Sequence, residues 1–207
     1  MINCCIRCGL YRADRHVAPD GSTRCPQCGN REQRPRLPLL LVGGASGAGK
    51  STVCHALTGA IDGVIPLEAD VLWRPELASP ADNYGAFVDT WLRLCKNIHY
   101  SGRPVVLFGA GFAVPENVEG RVERRYFSTV HYLALVCDDD ELTRRLEARP
   151  AWRAQERIGE QLAFNRYFRE RRAAPVVDLI DTTAPDLVST VAAVGEWITE
   201  QLTENER

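Results

Sequence analysis

The chain has 207 residues, enough for one α/β domain with a substantial core and a small appendage. Its 45% hydrophobic and 25% charged content is ordinary for a globular protein, and a net charge of −2 excludes a polycation built to coat nucleic acid. The charge is unevenly divided: residues 1–38 hold seven arginines against Asp14, Asp20 and Glu32, a balance of +4 that leaves −6 for the remainder. Such a head suits either a solvated surface or a nucleic-acid contact.

In chain order, the N-terminal MINCCIRCGLYR lacks the apolar stretch of a signal peptide, and no later apolar run approaches a membrane span. A cytoplasmic protein is expected, so the eight cysteines read as metal ligands or buried apolar residues rather than as disulfides. Cys5-Ile6-Arg7-Cys8 and Cys25-Pro26-Gln27-Cys28 are two C-x-x-C knuckles, each followed by a glycine, Gly9 and Gly29. Four thiolates at this spacing can close a tetrahedral Zn²⁺ site, and residues 1–34 look like a zinc ribbon whose folding energy comes from the metal. Cys4 is an alternative to Cys5, and iron an alternative to zinc. Cys54, Cys95 and Cys137 lie in apolar surroundings and are expected in the core. The ribbon is read as a packing element, a lid, or a module that contacts nucleic acid or protein.

A polar stretch with two prolines, Arg31–Pro38, separates this head from a second unit over residues 38–203. Strands are expected at Leu39–Gly43, Val64–Glu68, Pro104–Gly109, His131–Val136 and Val176–Asp181, each a short, nearly continuous apolar run of the kind parallel sheets bury. Helices are expected at Lys50–Ala60, Tyr84–Ser101, Asp139–Glu147, Ala154–Arg171 and Asp186–Leu202. The alternation predicts an α/β, doubly wound sheet with right-handed crossovers.

Between the first strand and first helix, Gly44-Ala45-Ser46-Gly47-Ala48-Gly49-Lys50-Ser51 fits G-x-x-x-x-G-K-[ST], and Thr52 follows. Glycines let backbone N–H groups wrap phosphate oxygens, and the helix N-terminus adds its partial positive charge. Residues 44–52 are therefore assigned to a nucleoside triphosphate, with Lys50 on the β- and γ-phosphates and Ser51 on Mg²⁺. The third strand ends in no carboxylate, which argues against an ATPase motor or a GTPase switch. Carboxylates follow the second strand instead: Asp70 is assigned to the acceptor hydroxyl and Glu68 to the Mg²⁺ shell, against the bland alternative of a cap or surface turn. Arg144, Arg145, Arg149, Arg153 and Arg157 crowd a proline-interrupted stretch at about residues 144–160, read as a lid. Arg149 and Arg153, at the break, are the candidates for stabilising transferred charge. Asn165, Arg166 and Arg169 either line the same cleft or form a polar helix face.

Together with Ile180-Asp181-Thr182-Thr183 before the last helix, these features resemble the small P-loop kinases: shikimate and gluconate kinases, chloramphenicol phosphotransferase, and nucleoside or nucleotide kinases. The resemblance covers residues 38–203 and implies a P-loop NTPase three-layer sandwich, with a five-stranded parallel sheet ordered 2-3-1-4-5. It also implies ATP with Mg²⁺, phosphoryl transfer to a small acceptor, and Asp181 and Thr183 beside the adenine. Glu68 departs from the aspartate that shikimate kinases carry there. Trp73, Arg74, Tyr84, Trp91 and Asn97 are candidates for the acceptor side, with Trp91 favoured as core. The expected function is an ATP-dependent kinase for a nucleoside or nucleotide-like hydroxyl. An antibiotic or RNA-end kinase, or a nucleotide-dependent regulatory protein without phosphoryl transfer, are the alternatives.

Overall fold

The structure is a computed structural model that describes residues 3–12, 15–149, 155–170 and 176–204. Seven strands and five α-helices are described: β1 (Thr23–Arg24), β2 (Arg31–Glu32), β3 (Leu39–Gly43), α1 (Lys50–Leu57), β4 (Ile65–Glu68), α2 (Gly85–His99), β5 (Val105–Phe108), β6 (Val130–Val136), α3 (Asp139–Glu147), α4 (Gln155–Glu170), β7 (Val177–Asp181) and α5 (Leu187–Glu204). Strands β4-β5-β3-β6-β7 form one sheet in that order, all neighbours parallel, which is the 2-3-1-4-5 arrangement expected of residues 38–203.

The two faces of β3 explain the layering. Leu39 and Leu41 point to one side with Val105, Leu107, Tyr132 and Ala134, where Phe87, Val88, Trp91, Leu92 and Cys95 of α2 and Phe168 of α4 cover them. Leu40 and Val42 point to the other, against Val53, Cys54 and Leu57 of α1 and Val194, Trp197 and Ile198 of α5. An all-apolar strand buried on both faces has to be sandwiched between helices, and Leu39 to Val42 are each fully buried. Cys54, Cys95 and Cys137 are core residues, as their surroundings predicted. No helix among the described residues is long and apolar enough to cross a membrane.

The head carries an antiparallel β1–β2 pair and packs at the amino ends of the strands. Its tail runs directly into β3: Ser128 N–H donates to Leu37 O, Leu39 N–H donates to Thr129 O, and Arg36 Nη2 donates to Phe127 O at 2.9 Å. The last turn of α2 supplies Lys96, which pairs with Glu123, donates to Asn3 Oδ1 at 3.0 Å and lies 4.0 Å over the Tyr126 ring. Arg15, 2% exposed, donates to Glu32 and to the carbonyls of Asn3 and Leu10. Arg34 pairs with Glu32 and stacks over Tyr100 at 4.7 Å. The head is therefore a docked packing element at the amino ends of the strands, opposite the phosphate loop, and the lid reading of it does not hold. Part of its positive charge, on Arg15 and Arg34, is consumed inside this joint.

Candidate active site

The phosphate loop leaves the carboxyl end of β3 through Gly44, whose φ of 128° lies in the left-handed region and whose Cβ, if present, would stand 2.3 Å from Leu135 O. No other residue fits there. Gly49, at φ 103°, turns the chain into α1, so the first N–H groups of that helix face the loop. Lys50 Nζ donates to the carbonyls of Gly44 and Ala45 at 2.8 Å each. Ser51 and Thr52 are exposed on the first turn of α1.

Three side chains brace this region, of which only Gln161 was absent from the sequence reading. Ser46 N–H donates to Gln161 Oε1 of α4 at 2.8 Å. Asn165, one turn further along α4 and fully buried, holds the end of β6 by donating to Cys137 O and accepting from Cys137 N–H. Thr182 Oγ1 lies 3.3 Å from Ala48 O. Nothing in the local sequence marks Gln161, because its partner is 115 residues away.

The arginines divide by partner. Arg145 donates to Glu141, to Gly47 O at 3.4 Å and to Thr182 O at 2.6 Å, so it is a strut between α3, the loop and the turn after β7. Arg144 pairs with Glu141 and is 70% exposed, and the two arginines hold the Glu141 carboxyl down to about 2. Arg166 and Arg169 pair with Asp139 and Asp138 on the polar face of α4 rather than lining the cleft. Arg149 is exposed at the end of α3 and lowers the pKa of Lys50 through its charge. Arg153 lies outside the described residues. A cavity of about 390 Å³ opens beside the loop, lined among others by Gly47, Gly49, Thr52, Arg149, Thr182 and Pro185. Asp181 and Thr183 flank it instead: the Asp181 carboxylate accepts Thr183 N–H, and Thr183 Oγ1 accepts Asp138 N–H, both at 2.8 Å.

On the other side of the loop, β4 ends in Glu68 and a 3₁₀ turn over Ala69–Leu72 carries Asp70. Burial pushes Lys50 down to about 8, while the charges of Asp70 and Glu68 pull it back up. Burial likewise raises the Asp70 carboxyl, opposed by Lys50 and reinforced by Glu68. The three groups occupy one electrostatic neighbourhood. Trp91, 3% exposed, donates to Ala69 O at 3.1 Å and is core, as favoured. Trp73, 55% exposed, tilts over Tyr84 at 5.6 Å and meets Phe87 edge-on at 5.4 Å. Tyr84 has φ 60°, a strained conformation for an aromatic residue, of the kind that clusters at ligand sites. Arg74 is exposed nearby in sequence, whereas Asn97 sits on the last turn of α2, toward the amino ends of the strands and away from the loop.

In the head, the sulfurs of Cys5, Cys8, Cys25 and Cys28 lie within 4.8 Å of one another, with Cys5–Cys28 and Cys8–Cys25 at 3.6 Å. Tetrahedral zinc with bonds of ~2.3 Å requires sulfurs roughly 3.8 Å apart, so the donor set fits that ion. Gly9 and Gly29, at φ 73° and 71°, return their N–H groups to Cys5 O and Cys25 O at 2.9 Å, making two matching knuckles. Within the cluster the Cys28 N–H helps pull the Cys25 thiol down to about 6, whereas burial and the neighbouring thiols push the Cys8 thiol up. Cys4 instead bridges to Tyr11.

Solved structures share this architecture. A gluconokinase from Sinorhizobium meliloti 1021 aligns with a TM-score of 0.51 at 19% identity, over 81% of this chain and 99% of that one. A sugar kinase from Janibacter sp. HTCC2649 aligns with a TM-score of 0.58 at 16% identity, over 80% of this chain and 95% of that one. The fold is that of the P-loop kinases. At such identities the likeness concerns the fold alone. No family model matches the sequence, and no curated protein matches it.

Proposed function

We propose that the chain is an ATP-dependent phosphotransferase that moves the γ-phosphoryl group to a hydroxyl of a small molecule, with a nucleoside or nucleotide-like acceptor. The observation that carries this reading is the placement of Lys50 on the loop after β3 and of Glu68 and Asp70 at the end of β4 and in the turn that follows, where the charges of both carboxylates reach the lysine. A phosphate-binding lysine and an acceptor-orienting carboxylate have to share a cleft for in-line transfer. In this reading residues 44–52 cradle the triphosphate, with Asp181 and Thr183 placing the turn beside the adenine. Asp70 orients the acceptor hydroxyl, and Arg149 and Arg153 offset charge on the transferred group.

Ser51 and Glu68 offer the hard oxygen donors that suit Mg²⁺, which when bound neutralises charge between the β- and γ-phosphates. Cys5, Cys8, Cys25 and Cys28 would hold a structural Zn²⁺. Trp73 and Tyr84, both exposed on the Asp70 side, support an acceptor with a ring to stack, as a nucleobase has.

The test is transfer of labelled γ-phosphate from ATP across nucleosides, nucleotides, sugar acids, ring-bearing antibiotics and short RNAs. Labelled nucleoside or nucleotide is expected. Labelled gluconate or sugar would keep the kinase and replace its acceptor. ATP binding with no labelled product in any class would favour the regulatory alternative.

A further inference from the structure

The head meets the body around a small cavity that phosphoryl transfer does not use. It is small, about 10 Å³, and Arg34, Arg36, Lys96, His99, Tyr100 and Tyr126 are among its lining residues. Three of these carry a buried nitrogen with no hydrogen-bond partner among the described residues: Arg34 Nη1, Arg36 Nε and His99 Nδ1. Arg34 and His99 are only 7% and 2% exposed. His99 Nε2 accepts the Val105 N–H at 3.2 Å, which places the ring proton on Nδ1 of an imidazole that burial keeps neutral. All three atoms are thus donors, and buried donors in folded proteins nearly always find an acceptor.

Charge points the same way. The joint gathers the buried Arg15, Arg34 and Lys96 and the half-buried Arg36 against the carboxylates of Glu32 and Glu123, an excess of positive charge at a largely buried joint. A water molecule has two lone pairs for three donors and brings no charge. A monatomic anion accepts from all three and offsets part of the excess.

We propose that this cavity is a halide site, chloride in ordinary salt, held by Arg34 Nη1, Arg36 Nε and His99 Nδ1. The ion fastens the metal-binding head to the last turn of α2, since two of its donors come from the head and its tail and one from the helix. This site is independent of the phosphotransferase reading.

The test follows thermal unfolding of the full-length, metal-loaded chain at constant ionic strength as potassium chloride replaces potassium gluconate. The melting temperature should climb by several degrees along a saturable curve, bromide should act alike, and Arg34→Gln should flatten the response. In crystals of the unaltered chain soaked in bromide, an anomalous peak should stand within hydrogen-bonding reach of Arg34 and His99. Equal melting in gluconate and chloride means that water alone fills the cavity and overturns the proposal. So does a chloride response that Arg34→Gln leaves intact, or a bromide soak with no peak there. If Arg34→Gln does not fold, the titration and the peak on the unaltered chain decide the matter.

Discussion

Lys96 and Glu123 form a buried ion pair, their side chains 2% and 3% exposed, at the point where the four-cysteine head rests on the body that carries the five-stranded sheet. Only one other lysine occurs in the chain, Lys50 of the phosphate loop. Removing one member of such a pair strands the other charge, so Lys96→Met should cost about 3–5 kcal/mol of stability. The double variant Lys96→Met with Glu123→Leu should recover most of that loss. Urea unfolding of the two variants checks this, and a harmless single substitution would contradict it.

Arg145 and Arg149 should behave differently although they are four residues apart. Arg145 is tied to Glu141, Gly47 and Thr182, so Arg145→Ala should lower the melting temperature and loosen the loop. Arg149 lines the cavity from an exposed position, so Arg149→Ala should leave melting unchanged and lower kcat by about 10²-fold or more. Paired melting and rate measurements separate the two roles. Equal effects of both variants on stability would count against the division.

Lys50 predicts the pH dependence. Burial lowers its pKa to about 8 in the folded chain, so the cation that binds phosphate is lost as pH rises through that value. kcat/KM for ATP reports the free enzyme and should fall on the alkaline side of about 8. For stability the sign is opposite: the folded state disfavours the charged form, so this group's contribution rises with pH between about 8 and its unfolded value of 10.5. A pH profile of kcat/KM that is flat to pH 10 would remove Lys50 from the phosphate site.

Metal removal should destabilise the head and its joint. Cys25→Ser should abolish zinc in the purified protein and lower the melting temperature, and a strong chelator should do the same to the unaltered chain. Metal analysis beside melting curves checks it. Full stability in a chelator, with no metal found, would leave the four thiols without a structural ion.

Much of the fold was legible because its cause is local. The apolar run Leu39–Val42 can only be a strand buried on both faces, and the glycines that follow it can only be a tight loop. The order of the five strands came from resemblance, since periodicity carries no record of which strands are neighbours. Contacts between distant segments stayed hidden: Gln161 on Ser46, Asn165 on Cys137, and the Lys96–Asn3 bond across 93 residues. Arg15 and Arg34 read as exposed basic charge and turned out to be buried struts, because composition does not reveal partners.

The measurement that tests the central claim most directly is single-turnover transfer of labelled γ-phosphate by the unaltered chain, Lys50→Ala and Asp70→Asn, with ATP affinity measured in parallel. The account predicts transfer by the unaltered chain alone, weakened ATP binding in Lys50→Ala, and retained binding without transfer in Asp70→Asn. Full transfer by Asp70→Asn would contradict it, because the carboxylate beside Lys50 would then have no part in the reaction.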